Sequence, residues 1–302
     1  MTRNKTLIKG FALAALVPLF AACSSEDDAT VPGGEPQEVQ VNISTRVTTD
    51  GNDWTWENGD QLKLYVTSYG SDAPTEETLT YNGSTSTWNR FNVTLPATVE
   101  ACYPATASAS EFSFQHNNEA EEIRPSLWLN GTVDQSSEDK LVQNDWMTSG
   151  QNMISNLSLN LTLLHRLAKV TVTITSDEEV NEVKFFSYTP NAPTGVTSVT
   201  PDYLAVNPLK SSNGNTYTAI VSAFNYNGET GYLPFMRIKV GADNTEKWVN
   251  LPQNIGTYGS LSAGNAYTFN LTVNSTNTLG TRSAGTSDCE LELIEVRDMN
   301  EE

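Results

Sequence analysis

The chain has 302 residues, 17 of them basic and 36 acidic, for a formal charge of -19. That balance argues against nucleic acid as a partner, because phosphate binding needs a basic face. The length suits two domains of ordinary size. Thr, Ser and Asn abound and no long amphipathic helical period appears after the first twenty residues, so short strands and turns are expected.

Residues 1–9 carry Arg3, Lys5 and Lys9, and Gly10 to Phe20 is apolar. The apolar run is too short to span a bilayer and has the layout of a secretory signal. It ends in Leu19-Phe20-Ala21-Ala22-Cys23, which resembles the lipobox of a bacterial lipoprotein. The resemblance implies removal of residues 1–22, a diacylglycerol on the Cys23 thiol, and an acylated new amino terminus carrying a fatty acid such as palmitate. Such a chain is tethered by acyl groups, with no transmembrane helix. Ser24-Ser25-Glu26-Asp27-Asp28 is similar to the export signal that sends Bacteroidetes lipoproteins to the outer face of the cell outer membrane. With Pro32, Gly33, Gly34 and Pro36, residues 23–37 read as a flexible acidic linker.

The body alternates strands and turns. Val39, Val41 and Ile43 alternate with polar neighbours, as do Leu62, Leu64 and Val66, the period of half-buried strands. Thr78 to Tyr81 runs into Asn82-Gly83, a two-residue hairpin signal, and Trp88 to Leu95 returns. Glu111 to Phe114 is a further candidate strand, and 117–145 reads as mostly loop. Leu157, Leu159, Leu161 and Leu163 then alternate, followed by Val170, Val172 and Ile174. Later strands are expected at Val183 to Ser187, Thr216 to Ser222, Met236 to Val240, Lys247 to Asn250 and Tyr267 to Val273. This spacing predicts an all-β fold of antiparallel sandwiches, 38–160 and 161–275, with 276–302 a linker and acidic tail.

Five segments in order resemble the fimbrillin family. Trp56-Glu57-Asn58-Gly59-Asp60-Gln61-Leu62 is similar to its tryptophan, Gly-Asp, strand motif, and Ala101-Cys102-Tyr103-Pro104 to its aromatic-Pro strand end. Asn144-Asp145-Trp146-Met147 resembles the family's Asp-Leu-Met turn, with Trp146 in place of leucine. Leu164-His165-Arg166-Leu167-Ala168-Lys169-Val170 and Ala263-Gly264-Asn265-Ala266-Tyr267 complete the set. The resemblance implies two tandem transthyretin-like β-sandwich domains and a pilus (fimbrium) subunit of stalk, tip or anchor type. Its partners would be other fimbrial subunits, the outer membrane through the lipid, and host or bacterial surface ligands in cell adhesion. Physically, Gly59-Asp60 reads as a turn into a strand, with Gly at positive φ and Asp bonding backbone amides. His165 and Lys169 read as packing residues of a domain junction.

No enzyme is expected. The two histidines, His116 and His165, come with no nucleophile elbow, metal spacing or phosphate loop. Catalytic residues, cofactors and metal ligands are all read as none. Surface glycan binding is the alternative function, because Trp54, Trp56, Trp88, Trp128, Trp146 and Trp248 could stack on sugars. A contiguous exposed pair would favour it, whereas scattered buried rings favour a pilin. Cys102 and Cys289 could pair in an oxidising compartment, though nothing in the spacing brings them together.

Both ends carry mechanistic candidates. Arg46 follows the strand Val39 to Ile43. In polymerising fimbrillins an arginine at the matching place is cut by an Arg-specific protease, which removes the lipidated end and the first strand. A strand from the next subunit then fills the groove. At the other end, the Gly- and Ser-rich stretch after Thr276 leads to Leu291, Leu293, Ile294 and Val296. This tail reads as a donor strand, a strand of its own domain, or an acidic tail. As a strand it has a fault: Leu293-Ile294 breaks the alternation, so only a bulge keeps Ile294 or Val296 in register.

Overall fold

Period-two alternation dictates most of this chain, and the computed structural model turns it into two pairs of facing sheets. The described residues are 35–44, 47–49, 52–54, 56–105, 132–188, 203–212, 214–223, 234–252, 254–255, 259–274 and 289–300. The candidate strand Glu111 to Phe114 lies outside them.

The first half contains β1 (Gln37–Ser44), β2 (Val47–Thr49), β3 (Asn52–Trp54), β4 (Gln61–Ser68), β5 (Thr75–Asn82), β6 (Thr87–Trp88), β7 (Phe91–Val93) and β8 (Ala97–Tyr103). After β9 (Thr132–Asp134) and α1 (Glu138–Gln143) come β10 (Met147–Thr148), β11 (Asn152–Ile154), β12 (Ser158–Thr162) and β13 (Leu164–His165). The second half contains β14 (Ala168–Ser176), β15 (Val180–Tyr188), β16 (Tyr203–Asn207), β17 (Leu209–Lys210), β18 (Thr216–Val221), β19 (Pro234–Val240), β20 (Thr245–Asn250), β21 (Asn265–Val273) and β22 (Cys289–Asp298).

In the first sandwich a sheet ordered β12-β1-β7 faces one ordered β13-β10-β8-β4-β5-β6, in which β11 also pairs with β8. Its core includes Val39, Val41, Leu62, Leu64, Leu79, Phe91, Val99, Leu159 and Leu161. In the second, β17-β18-β14-β21-β22 faces β20-β19-β15-β16-β9 around Val170, Val172, Phe185, Phe235, Ile238, Phe269 and Leu271. Most pairings are antiparallel. Among the described residues three are parallel: β1 with β12, β14 with β21, and β9 with β16.

Three local features depart from the sequence reading. The hairpin after β5 does not close on Asn82-Gly83 alone. Asn82 pairs with Thr87, leaving a four-residue loop in which Ser86 takes φ 54°. The returning chain then switches sheets: β6 pairs with β5, but β7 crosses to β1. Finally, the boundary expected at 160/161 falls inside β12. The chain passes to the second pair of sheets between His165 and Ala168, because Leu161 and Leu163 still fill the first core.

The stretch read as loop, 117–145, contributes structure in its described part. β9 adds a strand to the second sandwich beside β16, although it precedes the junction in sequence. Gln135, fully buried, extends that mimicry with its side chain: its Nε2 donates to the Ile220 carbonyl (2.9 Å) and its Oε1 accepts from the Ile220 N–H (2.7 Å). Ser137 caps α1, accepting from the Lys140 N–H. The helix buries Leu141 at the junction and Val142 in the first core.

Candidate functional site

The first strand occupies an interior position in its sheet. β1 runs parallel to β12, from Gln40 opposite Ser158 to Ser44 opposite Thr162, and antiparallel to β7, from Gln37 opposite Val93 to Val39 opposite Phe91. Alternation sends Val39 and Val41 inward, where they are 0% and 1% exposed, and Ile43 packs on the same core. The outward face is tied as well. Asn42 donates to Asn160 Oδ1 (3.1 Å), and Arg90 reaches both Glu38 Oε2 (2.9 Å) and Gln40 Oε1 (3.0 Å). Without β1, a slot walled by β12 and β7 would carry unpaired backbone groups on both sides and a floor of core side chains. Cys23 and Arg46 lie outside the described residues.

The C-terminal candidates lie on β22, which pairs antiparallel with β21 as the edge strand of the second sandwich. The break in alternation is absorbed by a bulge. Thr268 opposes Glu295 and Phe269 opposes Leu293, so Ile294 is the extra residue. Leu291 and Leu293, with Cys289, pack against the second core; Ile294 and Val296 are about half exposed, at 51% and 47%. Glu290, Glu292 and Glu295 are exposed. Beyond the strand, Met299 is buried, its N–H donates to the Gly264 carbonyl (2.6 Å), and Asn300 Oδ1 accepts from the His165 N–H (2.9 Å). Gly264 sits at φ +78°, and a Cβ there would overlap the Asn300 amide.

That contact ends at the junction. His165 Nδ1 and Asp145 Oδ1 lie 2.9 Å apart with both residues buried, beside a cluster of Tyr65, Cys102, Leu141, Trp146, Leu167 and Ile220. Arg166 donates from Nε to Thr148 Oγ1 (2.6 Å), and burial pulls its pKa down. Nearby, Gly59 takes φ +100°, and Asp60 Oδ2 accepts from the Glu57 N–H (2.7 Å), as the turn motif requires. Burial raises the Asp60 pKa against that hydrogen bond. Tyr103 titrates well above an ordinary tyrosine, chiefly through burial and then through the charges of Asp60, Asp145 and Glu57. His165 and Lys169 are 2% and 3% exposed, so both are part of the packed junction.

Of the described tryptophans, Trp56 and Trp88 belong to the first core, Trp146 to the junction cluster and Trp248 to the second sandwich. Trp88 and Trp146 are buried; Trp56 is half-buried, its ring edge-on to Trp88 (4.8 Å) and Tyr103 (5.4 Å). Trp248 is half exposed, stacked on Phe186 with Arg237 over its ring. The side chains of Trp54 and Trp128, and His116, lie outside the described residues. Cys102 and Cys289 lie in sheets of different sandwiches and form no disulfide. Among the described residues, no group of three or more His, Cys, Asp or Glu is placed to hold a metal ion. No helix among them is long and apolar enough to cross a membrane.

Two packed β-sandwich cores, with β1 interior to a sheet of the first and β22 at an edge of the second, define an all-β protein. Residues 45–288 match the model of the fimbrillin-like family, and the chain belongs to that family. Both β1 and β22 fall outside the matched segment. Among solved structures, a candidate cell adhesion protein from Bacteroides uniformis aligns over 87% of this chain and 98% of its own, at 14% identity and TM-score 0.50. A second from Bacteroides ovatus gives 87%, 97%, 14% and 0.50. The tip fimbrial protein Mfa3 from Porphyromonas gingivalis aligns over 87% of this chain and 100% of its own, at 13% identity and TM-score 0.46. At these identities the likeness is one of fold. No curated protein matches the chain.

Proposed function

We propose that this protein is a subunit of a cell-surface fimbria, exported as a lipoprotein on Cys23 and assembled by strand exchange after cleavage at Arg46. Family membership supports the fimbrial part of this reading. The observation that carries the exchange step is the place of β1: it is an interior strand, bracketed by β12 and β7, at the amino-terminal end of the described chain. Arg46 stands two residues after Ser44, the last residue of β1, so one cut there would sever the strand and the tether from the body. A strand from another subunit would regain both ladders and fill the space of Val39 and Val41. β22 is the donor candidate, with Leu291 and Leu293 as its partly buried pair, and it must leave β21 to act in trans. Glycan capture has no comparable support, since the described tryptophans form no contiguous exposed pair.

The test is Arg-specific proteolysis of the folded protein, followed by electron microscopy. Arg282 lies in the leash to β22, so an Arg282→Gln background keeps the tail attached. Polymers should form only after cleavage at Arg46, should be absent for Arg46→Gln, and should vanish when the chain ends at Ser287. Cleaved protein that stays monomeric would make this an accessory, non-polymerising member.

A further inference from the structure

The two sandwiches follow one strand plan. In each, an opening strand lies between a parallel neighbour and an antiparallel one: β1 between β12 and β7, β14 between β21 and β18. The registers agree residue by residue. Val41 opposes Leu159 and Ile43 opposes Leu161, as Val172 opposes Phe269 and Ile174 opposes Leu271. β12 and β21 are therefore counterparts, and their sequences match in that register. Leu157-Ser158-Leu159-Asn160-Leu161-Thr162-Leu163 stands against Tyr267-Thr268-Phe269-Asn270-Leu271-Thr272-Val273.

The counterparts differ in what lies beyond them. β22 covers the outer edge of β21, whereas among the described residues no strand pairs with the outer edge of β12. The Leu157 carbonyl accepts from the Gln40 N–H (3.0 Å). Alternation then turns the backbone groups of Leu157, Leu159 and Leu161 toward β1 and those of Ser158, Asn160 and Thr162 away from it. In agreement, the Ser158 N–H donates to Asn156 Oδ1 (2.9 Å) rather than to β1. This edge is also undefended. Of the edge strands with five or more residues, β20 and β22 carry charged side chains, whereas β12 carries none and has neither a proline nor a bulge. Leu157 is 54% exposed, although its counterpart Tyr267, with Val296 of β22 opposite, is 3% exposed.

We propose that the outer edge of β12 is a strand-acceptor site, filled antiparallel by β22 of a second copy of this chain. Transferred from β21, the register sets Leu291 opposite Leu161, Leu293 opposite Leu159, Glu295 opposite Ser158 and Val296 opposite Leu157. Leu291 and Leu293 then face the first core as they face the second, and Val296 covers Leu157. Glu290 and Glu292 meet Thr162 and Asn160, the residue types they meet as Thr272 and Asn270 on β21. The bulge at Ile294 fits an edge, where a strand keeps only one ladder in register. The site shares with the exchange reading the release of β22 from β21, but it needs no cut at Arg46 and leaves β1 in its sheet. In its own chain β22 opposes nine residues of β21 and is anchored by Met299 and Asn300. The segment 157–163 offers seven. Each chain therefore keeps its own β22 until that strand is displaced or another is in excess.

The experiment uses the full chain with Cys23→Ala, Arg46→Gln and Cys289→Ser, so that β1 stays attached and Cys102 is the one remaining, buried thiol. The probe is a synthetic fluorescent peptide of residues 287–299 carrying the same Cys289→Ser change. Fluorescence anisotropy should show one peptide bound per chain. Asn160→Pro should weaken binding about tenfold or more, because it deletes an outward N–H at an edge position where proline is otherwise tolerated. A Leu291→Ser/Leu293→Ser peptide should not bind. Register is read separately by disulfide trapping: Leu157→Cys in the chain should capture a Val296→Cys peptide and not a Glu290→Cys peptide. No binding, or trapping without this register, overturns the site. Binding unchanged by Asn160→Pro, with an Arg297→Cys peptide captured by Ala266→Cys instead, places the peptide on β21 by exchange and also overturns it. Polymers that form after cleavage of the Arg46 chain and are unaffected by Asn160→Pro would leave exchange at the β1 position standing without this edge.

Discussion

The place of β1 predicts a specific stability cost for two small substitutions. Val39→Ala and Val41→Ala each remove two methylene equivalents from positions that are 0% and 1% exposed. At about 0.8 kcal/mol per buried CH2, each change costs about 1.6 kcal/mol in transfer alone, and the pair about 3 kcal/mol. Residual cavities between β1 and the Phe91, Leu159 and Leu161 side chains would raise the pair to about 4–5 kcal/mol, because neighbouring strands hold the walls apart. That is a large share of the roughly 5–15 kcal/mol of a typical domain. Asn42→Ala is the control on the other face of the same strand. It loses side-chain bonds to Asn160 and Ser158 but buries nothing, and should cost about 0.5–1 kcal/mol. Urea unfolding of the Cys23→Ala protein, read by linear extrapolation, measures all three. The same magnitudes say that β1 stays seated after a cut at Arg46 until a competing strand displaces it. A double valine variant that loses less than about 1 kcal/mol, or no more than Asn42→Ala, would refute the view of β1 as an interior strand.

Three further outcomes follow from other parts of the molecule. Gly264→Ala should destabilise by about 1–3 kcal/mol, since alanine strains at positive φ and its Cβ meets Asn300; hydrogen exchange should accelerate in β22 more than in β14, and equal protection would count against the Asn300 contact as its hold. Burial works against the Glu182 carboxylate, but the hydrogen bond from Arg237 and the charges of Lys239, Arg237 and Lys184 outweigh it and depress its pKa from 4.5. Its stabilising contribution is therefore present above pH 4.5 and lost as pH falls through the lower folded value, so Glu182→Gln should flatten the acid limb of Tm against pH; an unchanged limb would exclude this pairing as a contributor. The raised pKa of Tyr103 acts at the alkaline end: above pH 10 the unfolded chain loses that proton first, so stability falls with rising pH, and Tyr103→Phe should reduce the slope. A slope identical in both proteins would mean that Tyr103 ionises as readily folded as unfolded.

Much of the fold is written locally. The alternation of Val39, Val41 and Ile43, of Leu62, Leu64 and Val66, and of Val170, Val172 and Ile174 each became a strand that turns those residues toward a core. Side chains alternate across a strand whatever its partners, so sequence period alone fixes which residues face the core. The turn at Gly59-Asp60 was equally legible, because positive φ favours glycine and the Asp60 carboxylate can reach a backbone amide only a few residues away. The bulge at Ile294 was visible as two adjacent apolar residues that no regular strand can bury on one face.

Partner choice was not legible. Nothing in Thr132-Val133-Asp134 tells that it pairs in parallel with β16, more than seventy residues away, rather than with its own half. Gln135 is polar by composition and fully buried in place, because only the assembled fold offers the Ile220 backbone to both ends of its amide. The same holds for Asn300, whose contact with His165 spans 135 positions. The sequence by itself determined the strands, their inward faces, the turn chemistry and the acidic surface, since these depend on neighbours within a few residues. The tertiary structure alone decided that β1 lies inside its sheet and that β22 closes an edge, since each depends on strand order, and backbone hydrogen bonding is blind to which sequence supplies the partner.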